Sequence, residues 1–339
     1  MRSLRASVFV LLSFVFTLAP STRAEEARQI TFANQHGLTY LPFMVMQDRK
    51  LVEKAVVAAG LPEPRVSYIT MGGVAPINDA IVAERAQFGA VGVPSLVQLW
   101  SKTKDSLGVK TIGAMTSAPM FLNSNNPAAR TLADFSDKDK IALPSVKISV
   151  QAVTLEMAAA QAFGKDSYAR LDKLTVSMPH PDGMTALVSG SAGITAHFGG
   201  PPFQYQELDG HPQIHRVLSS YDVLGGKSTF VCVVSTETFR KSSPKSFEAV
   251  VKALAEAQQW IVNNKDAAAD LYLRTTKSTE DRKDILAQLN DPDIEFTIVP
   301  RNILKYAAFM HEVDPKNIKH KAATWQELCF EHLHDKAGS

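Results

Sequence analysis

The chain alternates short apolar runs with amphipathic stretches, and the two periods separate cleanly. Ile30-Thr-Phe-Ala-Asn34 is a five-residue apolar run stopped by Gln35-His36-Gly37. Tyr40 to Ala59 has the three- and four-residue spacing of one helix, ended by Gly60 and Pro62. Arg65 to Thr70 alternates as a strand, and Phe88 to Gly92, Val109 to Met115, Met120 to Asn123, Lys140 to Leu143 and Leu174 to Met178 are further extended runs. Ile214 to Tyr221, Thr229 to Ser235 and Ile294 to Val299 complete the strand expectations. Strands alternating with helices across brief Gly-rich turns predict an α/β sheet with mainly parallel pairing. From Pro244 the pattern turns almost wholly helical, with Phe247, Val250, Val251, Leu254, Ala257 and Ile261 forming one apolar stripe. Helices are expected at Asp266 to Leu273, Glu280 to Leu289, Asn302 to His311 and Trp325 to His332.

One unit of this pattern occurs twice. Ile77–Leu99 and Met184–Tyr205 superpose when shifted by 106 positions, pairing Ala80 with Ala186, Val82 with Val188, Phe88 with Ile194 and Ala90 with Ala196. Each is a short helix, a polar turn, an apolar strand and a Gly/Pro step into another helix. The repeat predicts two related lobes with a cleft between them, joined by short crossings near Met115–Pro119 and Leu224–Lys227. On this reading Gly92-Val-Pro-Ser95 faces His197-Phe-Gly-Gly-Pro201 across the cleft.

The N-terminus adds a destination. Arg2 and Arg5 precede an apolar core from Val8 to Leu18, and Thr22-Arg23-Ala24 offers a small-residue cleavage site. Residues 1–24 therefore read as a secretory signal peptide, too short to span a membrane. Its three arginines account for the formal charge of +2; without them 33 basic residues face 34 acidic ones. A near-neutral mature chain gives no reason to expect nucleic acid or an anionic membrane as partner. The two cysteines, Cys232 and Cys329, read as free buried thiols rather than a disulfide framework.

Catalytic motifs are few. The chain has no G-x-S-x-G elbow, phosphate-binding loop, G-x-G-x-x-G, H-E-x-x-H or C-x-x-C. His211-Pro-Gln-Ile-His215 has a proline where metal-ligand spacing would need a helix, and Cys329 with His332, His334 and His320 reads as an apolar-stripe cysteine beside solvated histidines. No metal and no cofactor is expected, and no catalytic residue.

What remains is a set of polar turns at strand C-termini, where open α/β sheets bind ligands. They are Asn34-Gln-His-Gly37, Met71-Gly-Gly73, Gly92-Val-Pro-Ser95, Pro144-Ser-Val-Lys-Ile-Ser149 and His197-Phe-Gly-Gly-Pro201. Free N–H groups at the following helix starts favour an anionic or hydrogen-bond-accepting ligand. Each turn also has a plain structural reading. Ser145 serves equally as an N-cap, Gly72-Gly73 as an ordinary turn, His197 as a lobe-interface histidine, and Lys147 as a solvated lysine. Phe198, Phe203 and Tyr205 are either a stacking surface or core aromatics.

The signal peptide, the doubled unit, Ile141-Ala-Leu-Pro-Ser-Val-Lys-Ile-Ser-Val-Gln-Ala152, the stretch from His180-Pro-Asp-Gly-Met184 through Pro202, and Thr229 to Pro244 leading into the long helix occur together. In this order they resemble the periplasmic solute-binding proteins of ABC importers, of the nitrate/sulfonate/taurine type. The resemblance covers essentially the whole mature chain. It implies an α/β, two-lobed periplasmic-binding-protein (type II) fold with a helical C-terminal tail. Lobe 1 would comprise residues 25–116 and 226–339, and lobe 2 residues 117–225. The lobes would close on a small organic or anionic solute and deliver it to an ABC permease and its ATPase in the inner membrane. The protein would be a periplasmic monomer and not an enzyme. Carried over position by position, the substrate contacts fall on Gln35, His36, Tyr40, Gly73, Gly92, Pro94 and Ser95 in lobe 1. Those of lobe 2 fall on Ser145, Val146, Ser149, His197, Phe198, Gly200 and Pro201. A sulfonate binder is expected to aim an arginine into the cleft, and none of these turns contains one. The rival readings are a sensor-coupled binding protein and an enzyme on the same scaffold, resembling the thiamine-pyrimidine synthases. The cysteine-rich motif of those synthases is missing here.

Overall fold

The computed structural model describes residues 26–339. The signal-peptide reading concerns residues 1–24 and lies outside the described residues. Ten strands form two sheets of five. They are β1 (Gln29–Asn34), β2 (Arg65–Thr70), β3 (Phe88–Gly92), β4 (Val109–Ser117), β5 (Phe121–Ser124), β6 (Ile141–Leu143), β7 (Thr175–Ser177), β8 (Ala196–Phe198), β9 (His215–Ser219) and β10 (Thr229–Thr236). The first sheet has the order β2-β1-β3-β10-β4 and the second β7-β6-β8-β5-β9. The two orders are the same arrangement, with β3 and β8, the strands of the repeated unit, both central. The chain passes to the second sheet between β4 and β5 and returns between residues 224 and 229.

The expectation of mainly parallel pairing needs correction. β1 pairs β2 and β3 in parallel, and β6 pairs β7 and β8 in parallel. β10 and β5 enter their sheets antiparallel to both neighbours. Each is the strand that crosses between sheets, so it arrives from the opposite end. Half of each sheet is therefore antiparallel.

Thirteen helices are described: α1 (Leu41–Asp48), α2 (Leu51–Ala58), α3 (Val74–Val82), α4 (Val93–Thr103), α5 (Val150–Phe163), α6 (His180–Ser189) and α7 (Phe203–Leu208), then α8 (Ser220–Leu224), α9 (Glu237–Ser242), α10 (Pro244–Asn263), α11 (Lys265–Thr276), α12 (Arg282–Asn290) and α13 (Ile303–Val313). None of them is long and apolar enough to cross a membrane. The single helix expected over Tyr40–Ala59 is two, because Lys50 adopts a left-handed φ of 51° and turns the chain between α1 and α2. Residues beyond Ser219, expected as strand to Tyr221, start α8.

The first sheet packs on an aromatic cluster. Phe32 stacks on Tyr68 at 4.8 Å and on Phe88 at 5.2 Å, and Phe247 of α10 lies 6.2 Å from Phe88. In α10, the expected stripe residues Phe247, Val250, Leu254, Ala257 and Ile261 are buried, and Val251 is half-buried at its edge. Contacts of this kind supply most of the drive for a helix to dock.

The tail covers the exposed edge of β4 instead of adding a strand. Ile294–Val299, expected as a strand, contributes only the Ser117–Glu295 bridge and the Ala114 N–H to Ile298 carbonyl bond. The reason is local: β4 bulges against β10, and Gly113 (φ +155°) presses on Ile298 so closely that a Cβ there would lie 2.3 Å from Ile298 Cγ1. Trp325–His332 is likewise two short 3-10 turns, Trp325–Leu328 and Glu331–Leu333, in place of a helix. Phe330 N–H donates to the Thr111 carbonyl and His332 Nε2 to the Ile112 carbonyl, so backbone groups at a sheet edge are satisfied.

Candidate functional site

The site builds from turns that leave the C-terminal ends of β1, β2, β3, β6, β7 and β8. Three of these turns belong to the first sheet and three to the second, and they meet along a seam. Its fit is set by glycine. A Cβ on Gly73 would stand 2.6 Å from the Pro144 carbonyl oxygen and 2.7 Å from Ser145 Oγ. One on Gly92 would stand 2.8 Å from Val150 Cβ, and one on Gly200 would stand 2.6 Å from the Phe230 ring. Real Cβ atoms do not approach that closely, so at each point a bare glycine backbone takes up the backbone or side chain that faces it.

A small cavity of about 10 Å³ remains within the seam, the size of one water. Gln35, Tyr40, Gly92, Ser149, Gln151 and His180 line it. Gln35 Nε2 donates to the Tyr40 hydroxyl at 3.0 Å, and burial holds the Tyr40 hydroxyl well above its ordinary titration range. Ser149 is the N-cap of α5, accepting the Ala152 N–H at 3.2 Å. Val150, the first residue of α5, packs on Gly92, the N-cap of α4. Two helix N-termini thus converge on the seam from opposite lobes. Neither lysine nor arginine lines the small cavity.

Outside the seam a cavity of about 640 Å³ opens between the lobes. Gln35, His36, Tyr68 and Thr70 form one wall, Met184, Phe203 and Gln206 the other, and residues 275–280, from the last turn of α11 onward, the rim.

Behind the seam lies a polar core. His180 Nδ1 and His197 Nε2 are 2.9 Å apart, and His197 Nδ1 bonds Glu207. Asn123 Nδ2 donates to Glu207 Oε2 at 2.8 Å, and Gln151 Nε2 lies 3.1 Å from His180 Nε2. His197 and Glu207 are fully buried. Phe203 stacks on the His180 ring at 5.7 Å. Burial, then the neighbouring His197 and His36, hold His180 well below the ordinary imidazole range.

The expected contacts divide accordingly. Gln35, Tyr40, Gly92 and Ser149 line the small cavity, and His36 lines the larger one. Gly73 and Ser145 meet each other at the seam, and Gly200 and Pro201 reach lobe 1 through Phe230 and Leu38. Ser95 is buried beside the seam, taking the Asn78 amide at 3.3 Å and donating to the Ile148 carbonyl at 3.4 Å. Four residues are not at the seam surface. His197 sits behind His180, Phe198 is core, Pro94 is buried in the first turn of α4, and Val146 is 36% exposed and lines neither cavity. The N-cap reading of Ser145 passes to Ser149, because the chain makes a left-handed turn at Lys147 (φ 65°) before α5 begins. Gly92–Ser95 lies opposite Ser149–Val150, and His197–Pro201 lies opposite Gly37–Leu38, so the repeated units do not face each other.

Gln151 and His180 lie in the stretches that carry the resemblance but not among the expected contacts, and Glu207 and the rim at 275–280 lie in neither. The histidines considered for metal have structural partners. His215 Nε2 donates to the Ala129 carbonyl at 2.8 Å, and among the described residues no three metal-ligating side chains converge.

No family model matches the sequence, and no curated protein matches it. Solved structures do. The alkanesulfonate-binding protein SsuA from Xanthomonas axonopodis pv. citri, bound to MOPS, aligns over 87% of this chain and 96% of its own, with TM-score 0.68 at 14% identity. The periplasmic nitrate-binding protein NrtA from Synechocystis PCC 6803 aligns over 89% and 84%, with TM-score 0.67 at 13% identity. The periplasmic aliphatic sulphonate-binding protein SsuA from Escherichia coli aligns over 89% and 99%, with TM-score 0.63 at 16% identity. The two-lobed α/β fold of this chain is the periplasmic-binding-protein fold.

Proposed function

We propose that the protein is an exported solute-binding protein that captures a small organic or anionic solute between its lobes and hands it to an ABC-type permease. One observation carries this reading: turns from different sheets fit together at glycines around a buried set of neutral polar side chains, Gln35, Tyr40, Gln151 and His180. At a glycine the facing lobe can approach without a side chain having to move aside. A solute bridging Gln35 and Tyr40 to Ser149 and Gln151 stabilises the closed arrangement by its contacts with both lobes. The converging N-termini of α4 and α5 favour an acceptor-bearing or anionic group there. The neighbours supply the same hint, since two are named for sulfonates and one for nitrate.

The lobe boundaries proposed are residues 25–116 with 226–339, and 117–225, with the two crossings as hinge. Passage of the chain between sheets on either side of residues 118–120 and 225–228 supports them. The test is direct. Solute recovered from the purified protein is identified by mass spectrometry, and a panel of sulfonates, nitrate and neutral nutrients is titrated by calorimetry. A binding protein gives one solute per chain with no product; turnover, or no binding across the panel, overturns the reading.

A further inference from the structure

Four side chains run inward from the seam as one hydrogen-bonded file: Gln151, His180, His197 and Glu207. Each link needs one hydrogen, so the direction of every bond depends on how many protons the file holds. With Glu207 a carboxylate and each imidazole neutral, His197 Nδ1–H must donate to Glu207. His197 Nε2 then accepts from His180 Nδ1–H, and His180 Nε2 has only a lone pair. That lone pair takes the Gln151 amide N–H, which is the arrangement found, with the amide nitrogen 3.1 Å from His180 Nε2. The Gln151 carbonyl is left for the seam cavity that Gln151 lines.

One added proton reverses the outer end. Whether Glu207, His197 or His180 carries it, His180 Nε2 becomes a donor. Gln151 must then present its carbonyl to the histidine and turn its NH₂ to the seam. We infer that one proton shared along Glu207, His197 and His180 sets whether Gln151 meets the solute as acceptor or as donor, so that an oxyanion is captured together with a proton. This rests on the solute-binding reading of the seam.

Electrostatics points the same way. An ionised Glu207 among neutral partners is a buried net negative charge, unfavourable beside a second anion, and no lysine or arginine lines the small cavity to offset it. The extra proton makes the file neutral. The titratable groups facing it are His36 from the loop after β1 and Tyr40 from the turn beyond, the latter kept neutral by burial. Asn123, Gln204 and Phe203 complete the surround and do not titrate.

The test reads the ring nitrogens of the ¹⁵N-histidine-labelled protein across pH, first without solute. The expected result is a single transition shared by His180 and His197, with His180 Nε2 unprotonated above it and protonated below. Glu207→Gln should abolish it. Independent transitions, or an Nε2 fixed in one state across the range in which the protein stays folded, overturn the inference. Sodium methanesulfonate, the oxyanion probe, should raise the shared midpoint, by about one pH unit for a tenfold preference for the protonated file. An unchanged midpoint overturns the coupling. If Glu207→Gln does not fold, Gln151→Leu serves instead: it should keep the shared transition and lose the methanesulfonate response. A calorimetric panel that finds a solute while the midpoint stays fixed overturns this inference and leaves the binding role standing. An empty panel beside a shared transition overturns the binding role and the coupling with it, and leaves only the proton shared along the file.

Discussion

The backbone N–H of Leu38 donates to the carbonyl of Pro201 at 3.1 Å, a hydrogen bond between residues of different lobes. No side chain takes part in it. Gly37, one position earlier, has φ +136°, and a Cβ there would stand 3.0 Å from the same Pro201 oxygen. Lobe contact at this point is therefore a matter of backbone shape, fixed by which residues lack a side chain.

Gly73 gives the cleanest test of that idea. Its φ of −165° is open to any residue, so Gly73→Ala should leave each lobe folded. The added methyl would meet Pro144 and Ser145 in the closed seam only. Solute affinity should fall tenfold or more, about 1.4 kcal/mol, with melting temperature nearly unchanged and a larger radius of gyration by small-angle scattering in the presence of solute. Unchanged affinity would place the solute elsewhere.

Tyr40→Phe removes the hydroxyl that accepts the Gln35 amide. The amide then loses its partner in a buried setting, and the solute that co-purifies with the protein should bind about 1–2 kcal/mol more weakly by calorimetry. The circular dichroism spectrum should not change.

The repeat at Ile77–Leu99 and Met184–Tyr205 revealed the main organisation, because a short helix leading into an apolar strand is local information. It found the central strand of each sheet, β3 and β8, and the turns after them. What it could not carry was long-range. β10 pairs with β3 through Cys232 and Val91, and whether such a pairing runs parallel is decided by how the chain returns from the other sheet. The break at Lys50 was hidden because lysine does not advertise a left-handed turn as glycine does. The candidate site was half legible. Gln35, Tyr40, Gly73, Gly92 and Ser149 sit in turns whose composition marks them, whereas Gln151 and Glu207 look in sequence like ordinary polar helix residues. Only the fold brings His180 and His197 between them.

Glu156 of α5 is buried, and its carboxyl is pushed up to about 8, first by burial and then by Asp172, with Lys147 opposing. An acid raised in the folded state keeps a proton that the unfolded chain releases near its ordinary 4.5. Stability should therefore fall as pH rises from 4.5 towards 8 and level off above. Glu156→Gln should match the parent at pH 4.5 and melt at progressively higher temperature than it as pH approaches 8. A constant difference across that range would refute the assignment.

Cys232 and Cys329 are both buried and neither is in a disulfide. Burial pushes the Cys232 thiol up to about 12 and Cys329 upward as well. Neither should react with a thiol reagent at pH 8 in the native protein, and both should react once it is unfolded. Rapid native labelling would mean that the β10 region opens easily.

The position of β10 also orders events in time. The second sheet is built from one continuous stretch, β5 to β9, and can form as soon as that stretch exists. The first has a gap between β3 and β4 until β10 slides in, and the Thr111–Val233 bond that joins β4 to it spans 122 residues. Closing so long a loop is slow compared with local pairing. The sheet whose first four strands are made first is thus the sheet completed last, because β1 to β4 wait for a strand that follows the whole second sheet in the chain.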